Sequence, residues 1–364
     1  MQTSYQRPEP EALKPPVTRV GVIGWARANL FSSMFNSILT LGTLCLLGKT
    51  VPPFLRWAFV NSSWNTTGAA CRAAGGACWS VVTKNIRFII FGFYPYELQW
   101  RPLASMLILF TLLAFSRNRR YWKKPLGYAW IAGLFSMGIL MSGGLFGLSS
   151  VESTKWSGLP LTLLLSVFGL TAAYPLGVML ALGRRSQMPA IRSLSIVYIE
   201  AIRGVPLISL LFMSSVMFPL FLPEGITINN ILRAQVAIIL FTAAYIAEVV
   251  RGGLQAISRG QYEAAESLGL NYYQKMRLVI LPQALKIVIP PSVGILISAF
   301  KDTSLVIIIG LFDLLKTTQS TLSDPRWMGF SIEAYVFIAL IYFAGCFSMS
   351  NYSRRLEREL STGR

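Results

Sequence analysis

Residues Gln261–Pro290 read QYEAAESLGLNYYQKMRLVILPQALKIVIP. The first half is polar and charged, yet the segment lies between apolar runs that have the length of membrane spans. Its landmarks are Glu263-Ala264-Ala265, then Gly269 after a gap, then Leu281-Pro282. Small residues such as Ala264, Ala265 and Gly269 let a second backbone come close. Glu263, with Glu266 beside it, supplies charge for a partner. Leu281-Pro282 is expected to end the helix, because proline lacks the N–H that continues it. The segment therefore reads as a short helix presented to water by a membrane bundle. An ordinary surface helix between two spans is the plainer reading of the same letters.

Outward from this segment, composition sets the class. Of 364 residues, 54% are apolar and 13% charged, against roughly 25% charged in soluble domains. A span needs about 20 apolar residues, and run length gives eight: about 30–47, 103–115, 126–148, 159–182, 205–222, 231–250, 287–309 and 332–349. The expected fold is an all-α polytopic bundle. A transmembrane barrel would instead alternate over strands of about 10 residues.

The formal charge of +18 belongs to the membrane, not to nucleic acid. Of the 33 Lys and Arg, 22 fall in the tail to residue 28, the 117–124, 184–203 and 251–286 loops, and the C-terminal tail. Eight spans put all five on one side. Positive charge marks that side as cytoplasmic, with both termini inside. The first 25 residues, rich in proline and lacking an apolar core, read as a disordered cytoplasmic tail and not a cleaved leader. The expected segments are a tail at 1–28, three spans at 29–150 with a long periplasmic loop at 49–102, a core at 158–352 containing the 252–286 loop, and a tail at 353–364.

Several further motifs carry two readings each. Arg203-Gly204-x-Pro206 suits a sharp turn into the fifth span, or generic anchoring at the interface; Glu200 and Arg203 are spaced to pair. Tyr174-Pro175 permits a kink in the fourth span, and Arg184-Arg185 mark its inner end. Lys301-Asp302-Thr303-Ser304 interrupts the seventh apolar run. Charge there is costly and faces a polar cavity or an internal partner, so it reads as a break lining a translocation path or as a self-paired structural break. Glu248 and Arg251 read as a helix-end ion pair, and Gly143-x-x-x-Gly147 as a close helix contact. Cys71 and Cys78 are either a disulfide or two thiols, and an external location favours the bridge. Cys45 and Cys346 read as core residues.

Absences narrow the chemistry. There is no histidine, no zinc-ligand set, and no G-x-x-x-x-G-K-[ST] phosphate loop. No metal and no cofactor is expected in this chain.

From Gly158 to Arg355 the sequence resembles permeases of polar amino-acid ABC importers of the histidine/glutamine/arginine type. The resemblance rests on GLPLTLLLSVFG, IEAIRGVPLI, AEVVRGGLQAISRGQYEAAESLG, LPQALKIVIPP and FKDTSL. The extra N-terminal spans make the whole chain similar to the longer M-type subunit of general L-amino-acid permeases. Val205 and Val279 stand where the family more often has Thr and Ile. The resemblance implies the five-helix type I importer core, and docking of a separate ATPase on the loop of Glu263, Ala264, Ala265, Gly269, Leu281 and Pro282. It also implies ATP and Mg on that ATPase, a second permease subunit, a periplasmic amino-acid binding protein and alternating access in the bacterial inner membrane. Two other classes remain against it: an ion-coupled secondary transporter, whose only candidate relays are Glu248 and Asp302, and a cargo-free scaffold.

Overall fold

A computed structural model describes residues 21–361. The expected features at residues 1–20 and 362–364 lie outside that range. Elements are α1 (Gly21–Asn29), α2 (Met34–Leu55), α3 (Gly68–Ala74), α4 (Ser80–Phe91), α5 (Trp100–Ser116), α6 (Lys124–Ser142), α7 (Gly158–Arg184) and α8 (Pro189–Arg203). They continue with α9 (Leu207–Phe212), α10 (Asn230–Gln255), α11 (Arg259–Ser267), α12 (Tyr272–Gln274), α13 (Leu281–Asp302), α14 (Leu314–Leu322) and α15 (Ser331–Ser361). Among the described residues, seven helical runs are long and apolar enough to cross a membrane. An eighth crossing forms if α8 and residues 207–221, bent by 103°, count together. The all-α polytopic fold is as the sequence predicts.

The described residues pack as two compact units that divide between Cys78 and Trp79. The sequence had suggested a division near residue 150. The reason for the difference is α4, placed by sequence inside a loop at 49–102. It is a helix whose Val81, Val82 and Ile89 are buried, and it fastens to the later helices. Thr317 Oγ1 donates to the Ile89 carbonyl (2.8 Å), and the Phe93 N–H donates to Ser157 Oγ (2.7 Å). Arg101, 3% exposed, donates to the Ser149 carbonyl and hydroxyl (2.7 and 2.9 Å). Spans α5 and α6 thus belong to the second unit.

In the first unit, helix α2 carries on through a wider turn to Val60, well past the expected end at residue 47. None of its residues from Met34 to Leu55 is buried, as befits an apolar helix solvated by lipid. Residues 21–25, expected to be disordered, belong to helix α1 (Gly21–Asn29). Cys71 and Cys78 form a disulfide with Cα atoms 5.5 Å apart. Cys78 also bridges to Ser63, and Thr67 caps α3 by accepting from the Ala70 N–H.

In the second unit, α7, α8, α10 and α13 surround a core rich in alanine: Ala173, Ala181, Ala243, Ala247 and Ala284 are all at most 1% exposed. Small side chains let helix backbones approach, which is how packing holds a bundle in lipid. Gly143 and Gly147 make no such contact. Both have positive φ (+65° and +76°) in the turn after α6, so that spacing is turn chemistry. The eighth span also exceeds expectation: α15 continues from Ser331 to Ser361 through the residues read as a tail.

The far end of the bundle from the 251–286 loop is held by buried polar groups. The Gly158 N–H donates to the Phe312 carbonyl (2.7 Å), and the Leu314 N–H donates to Thr162 Oγ1 (3.1 Å). Asp313 caps α14 by accepting from the Lys316 N–H (2.9 Å) and receives the Tyr342 hydroxyl (3.4 Å). Burial pushes the Asp313 carboxyl up to about 6, against the pull of these donors. A carboxyl whose folded value lies above its unfolded one stabilises the fold most at low pH. That advantage is lost as pH rises from the unfolded value of 3.8 through about 6. The rise from 3.8 to about 6 corresponds to about 3 kcal/mol. The thermal midpoint of the detergent-solubilised protein should therefore carry a falling component between pH 4 and 6.5 that Asp313→Asn removes.

Candidate functional site

The loop after α10 builds a two-faced element. Helix α11 stops because Gly269 adopts φ +72°, the left-handed conformation that glycine tolerates best. The N–H groups of Gly269 and Leu270 return to the carbonyls of Glu266 (2.9 Å) and Ala265 (3.2 Å). The stop is thus Gly269, and the expectation that Leu281-Pro282 ends a helix is corrected. Pro282 neither ends nor starts a helix, because helical backbone runs on both sides of it. The preceding Lys275–Ile280 is one wider helical turn. From Tyr272 to Ile309 the chain is a single helical run of 38 residues, where sequence had placed a span starting at 287.

The faces of α11 differ. Ala265 is 2% exposed and packed on the bundle, with Tyr262 beside it. Glu263, Ala264 and Gly269 are exposed, as are the neighbouring Leu268, Tyr272, Tyr273 and Leu278. The Glu-Ala-Ala triplet is therefore split: two residues face out, and the third belongs to the protein's own core. Leu281 is half-buried and Pro282 exposed. A water-facing loop that leaves two tyrosines and two leucines uncovered next to a free carboxylate has the makeup of a docking surface.

Above this loop a cluster of charges ties three helix ends together. Arg184, in the last turn of α7, donates to Glu200 Oε1 of α8 (2.8 Å) and lies 3.6 Å from Glu248 Oε2 of α10. Arg203, at the end of α8, is also 3.6 Å from Glu248 Oε2, and its guanidinium lies over the Tyr245 ring (5.6 Å). Arg251 grips Glu248 with two donors, one of them Nε at 2.9 Å. The expected Glu248–Arg251 pair is present. The expected Glu200–Arg203 pair is not: Glu200 reaches α7 instead, leaving Arg203 for Glu248. Arginines at helix C-termini also complement the helix dipole. Beyond Arg203 the chain turns by 103°, with Gly204 and Pro206 at the corner. A Cβ on Gly204 would lie 3.2 Å from the Glu200 carbonyl oxygen.

Next to Tyr245 is a cavity of about 410 Å³ between α9, α10 and α13. Its polar lining is Thr242, Tyr245, Ser298 and Asp302; Leu207, Phe241 and Ile295 are among the apolar groups. Of the four residues at the interrupted seventh run, Asp302 alone lines this cavity. Lys301 is exposed and makes no ion pair with Asp302. The Thr303 hydroxyl is buried and donates to the Phe300 carbonyl (2.7 Å), and that of Ser304 donates to the Lys301 carbonyl (2.9 Å). The interruption is a tightening from α13 into a narrower helix over Thr303–Ile309, so the helix does not break. Asp302 faces the cavity together with the hydroxyls of Thr242, Tyr245 and Ser298, while those of Thr303 and Ser304 are turned back onto their own helix.

Sequence reasoning did not anticipate a contact between α11 and α7. Arg185 Nη1 donates to Tyr262 Oη (3.0 Å) and to the Leu254 carbonyl (3.1 Å). The only trace of it in the letters is the i, i+3 spacing of Tyr262 and Ala265, which sets both on one face.

Comparison with known proteins agrees with this architecture. The family model described as "Binding-protein-dependent transport system inner membrane component" matches residues 173–362. An inner membrane amino-acid ABC transporter permease of Escherichia coli, YhdY, is 51% identical over 347 residues, 93% of either chain. The glutamate/glutamine/aspartate/asparagine transport system permease protein BztC of Rhodobacter capsulatus is 39% identical over 431 residues, 98% of either chain. A crystal structure of an amino acid ABC transporter with histidines superposes with TM-score 0.50 at 33% identity, over 56% of this chain and 92% of that one. A secondary transporter is not favoured, since Glu248 is occupied by three arginines and the relatives are ABC permeases. The protein belongs to the inner-membrane components of binding-protein-dependent transport systems, within the amino-acid ABC transporter permeases.

Proposed function

We propose that this permease carries amino acids inward across the bacterial inner membrane by alternating access, driven by a separate ATPase that docks on α11. The observation that carries the reading is the split of α11, with Ala265 held in the bundle and Glu263 and Ala264 presented to solvent beside exposed Leu268, Tyr272 and Tyr273. The arginine-rich loops and both termini then lie in the cytoplasm, in keeping with the clustering of Lys and Arg. ATP and Mg are held by the ATPase. A periplasmic binding protein delivers cargo, and a second permease subunit completes the path. The core spans residues 158–352, and residues 29–150 supply additional spans. Lipid covers the apolar faces.

The cavity beside Asp302 is the cargo path. A carboxylate there complements the ammonium group of an amino acid, and the mostly apolar walls sharpen that attraction by excluding water. Arg203, Gly204 and Pro206 set the corner next to Leu207 and Tyr245 of the cavity wall.

The test is uptake of a labelled amino-acid panel into proteoliposomes containing this permease, its partner permease, the ATPase and the binding protein. Uptake should require ATP and stop with vanadate. Uptake that persists when the ATPase is omitted defeats the reading.

A further inference from the structure

Helix α11 is held by polar contacts at Gln261, which accepts from Gln283 Nε2 of α13 (2.9 Å), at Glu266, which pairs with Lys275, and at Tyr262, which joins the ends of α7 and α10. Tyr262 Oη donates to the Leu254 carbonyl (3.2 Å) and accepts from Arg185 Nη1 (3.0 Å). Arg185 Nη1 in turn donates to the same Leu254 carbonyl (3.1 Å). The three groups close a triangle, and the Arg185 guanidinium lies 5.5 Å over the Tyr262 ring. Each corner is on a different element: Tyr262 on α11, Leu254 in the last turn of α10, and Arg185 at the end of α7. The Leu254 carbonyl is one of the last four of its helix, which have no partner within the helix. Two donors from elsewhere satisfy it.

The neighbouring contacts decide what such a joint does. Ala265 touches the core through a methyl group, a contact that tolerates sliding. A triangle of hydrogen bonds fixes distance and direction together. Arg185 follows Arg184, whose guanidinium holds Glu200 of α8 and approaches Glu248 of α10. Glu248 also faces Arg203, which leans on Tyr245 of the cavity wall. A displacement of α11 thus has a continuous polar route to the helix ends beside the cavity.

We propose that Tyr262 and Arg185 form the joint that transmits movement of α11 to the ends of α7 and α10, with Tyr262 a positioning residue. The proposal rests on the reading of α11 as the ATPase-docking helix. It separates two tasks within one short helix: Glu263 and Ala264 hold the partner, and Tyr262, one residue earlier, hands the motion inward.

The experiment uses the complete transporter in proteoliposomes, with ATP turnover and amino-acid uptake measured on the same preparation. Tyr262→Phe keeps the packed ring and removes only the hydroxyl. The ATPase should remain bound and hydrolyse ATP within about twofold of wild type, while ATP consumed per amino acid rises roughly tenfold. Arg185→Gln should do the same. The double variant should be no worse than either single one, since both remove one interaction. An unchanged ATP-to-uptake ratio in both single variants overturns the joint, as does strict additivity in the double. Loss of the ATPase from Tyr262→Phe also overturns it, by assigning the tyrosine to docking. Failure of the underlying reading looks different: Glu263→Lys would then leave ATPase association intact.

Discussion

Glu263→Lys is expected to strip the ATPase from the purified complex and to reduce uptake at least about 100-fold. The Glu263 side chain is exposed, and only its backbone carbonyl is used locally, by the Ser267 hydroxyl (2.9 Å). The substitution therefore leaves α11 intact and alters only what the surface offers a partner. Reversing a charge within a docked interface places like charges together, at a cost of several kcal/mol, and about 2.7 kcal/mol already corresponds to 100-fold. Co-purification measures association, and a melting curve of the permease, unchanged within about 2 °C, excludes unfolding. The same reversal at Glu266 should do less, because Glu266 is already paired with Lys275. Retained association and uptake in Glu263→Lys would remove the docking assignment.

Gly158→Ala should have the largest effect on folding. Gly158 opens α7 at φ +71°, a conformation that costs a non-glycine residue about 1–2 kcal/mol. An added Cβ would also stand 2.0 Å from the Ile90 carbonyl oxygen and 2.6 Å from its carbon. These are backbone atoms, so no rotamer change relieves the clash. The end of α4 would have to move away from α7, breaking the Phe93–Ser157 and Gly158–Phe312 hydrogen bonds. The sum exceeds about 4 kcal/mol, in the range reserved for a few severe mechanisms. Size-exclusion chromatography of detergent extracts should show little or no monodisperse protein. Gly138→Ala, where a Cβ meets nothing within 4 Å, should elute as wild type.

Legibility of this chain followed distance along it. Spans were readable because apolar run length is local, and the Glu248–Arg251 pair because i, i+3 neighbours share a helix face. Arg184–Glu200 joins two helices across 16 positions, and Arg185–Tyr262 joins two elements across 77. Charge spacing alone therefore chose the wrong partner for Glu200. Helix α4 was hidden inside a presumed loop because Thr83 and Lys84 dilute its apolar content while Val81, Val82 and Ile89 still make a buried face. Pro282 was misjudged because proline usually ends a helix, whereas here it follows directly on the wider turn at 275–280 and the helical run continues through it. Asp302 was readable as unusual from its apolar setting. That Lys301, Thr303 and Ser304 turn away from the cavity depends on the phase of α13, which the letters do not state.

That phase has a consequence for how the chain tolerates change. The wider turn at Lys275–Ile280 sits between the exposed Tyr272 and Tyr273 and the part of α13 that carries Asp302. Each residue of a helix advances it by about 100°. Inserting or deleting a single residue between 275 and 280 would rotate everything after it like a mis-set gear, swinging Asp302 out of the chamber although Asp302 itself is unchanged. Point changes in that stretch are forgiven far more readily than changes in its length.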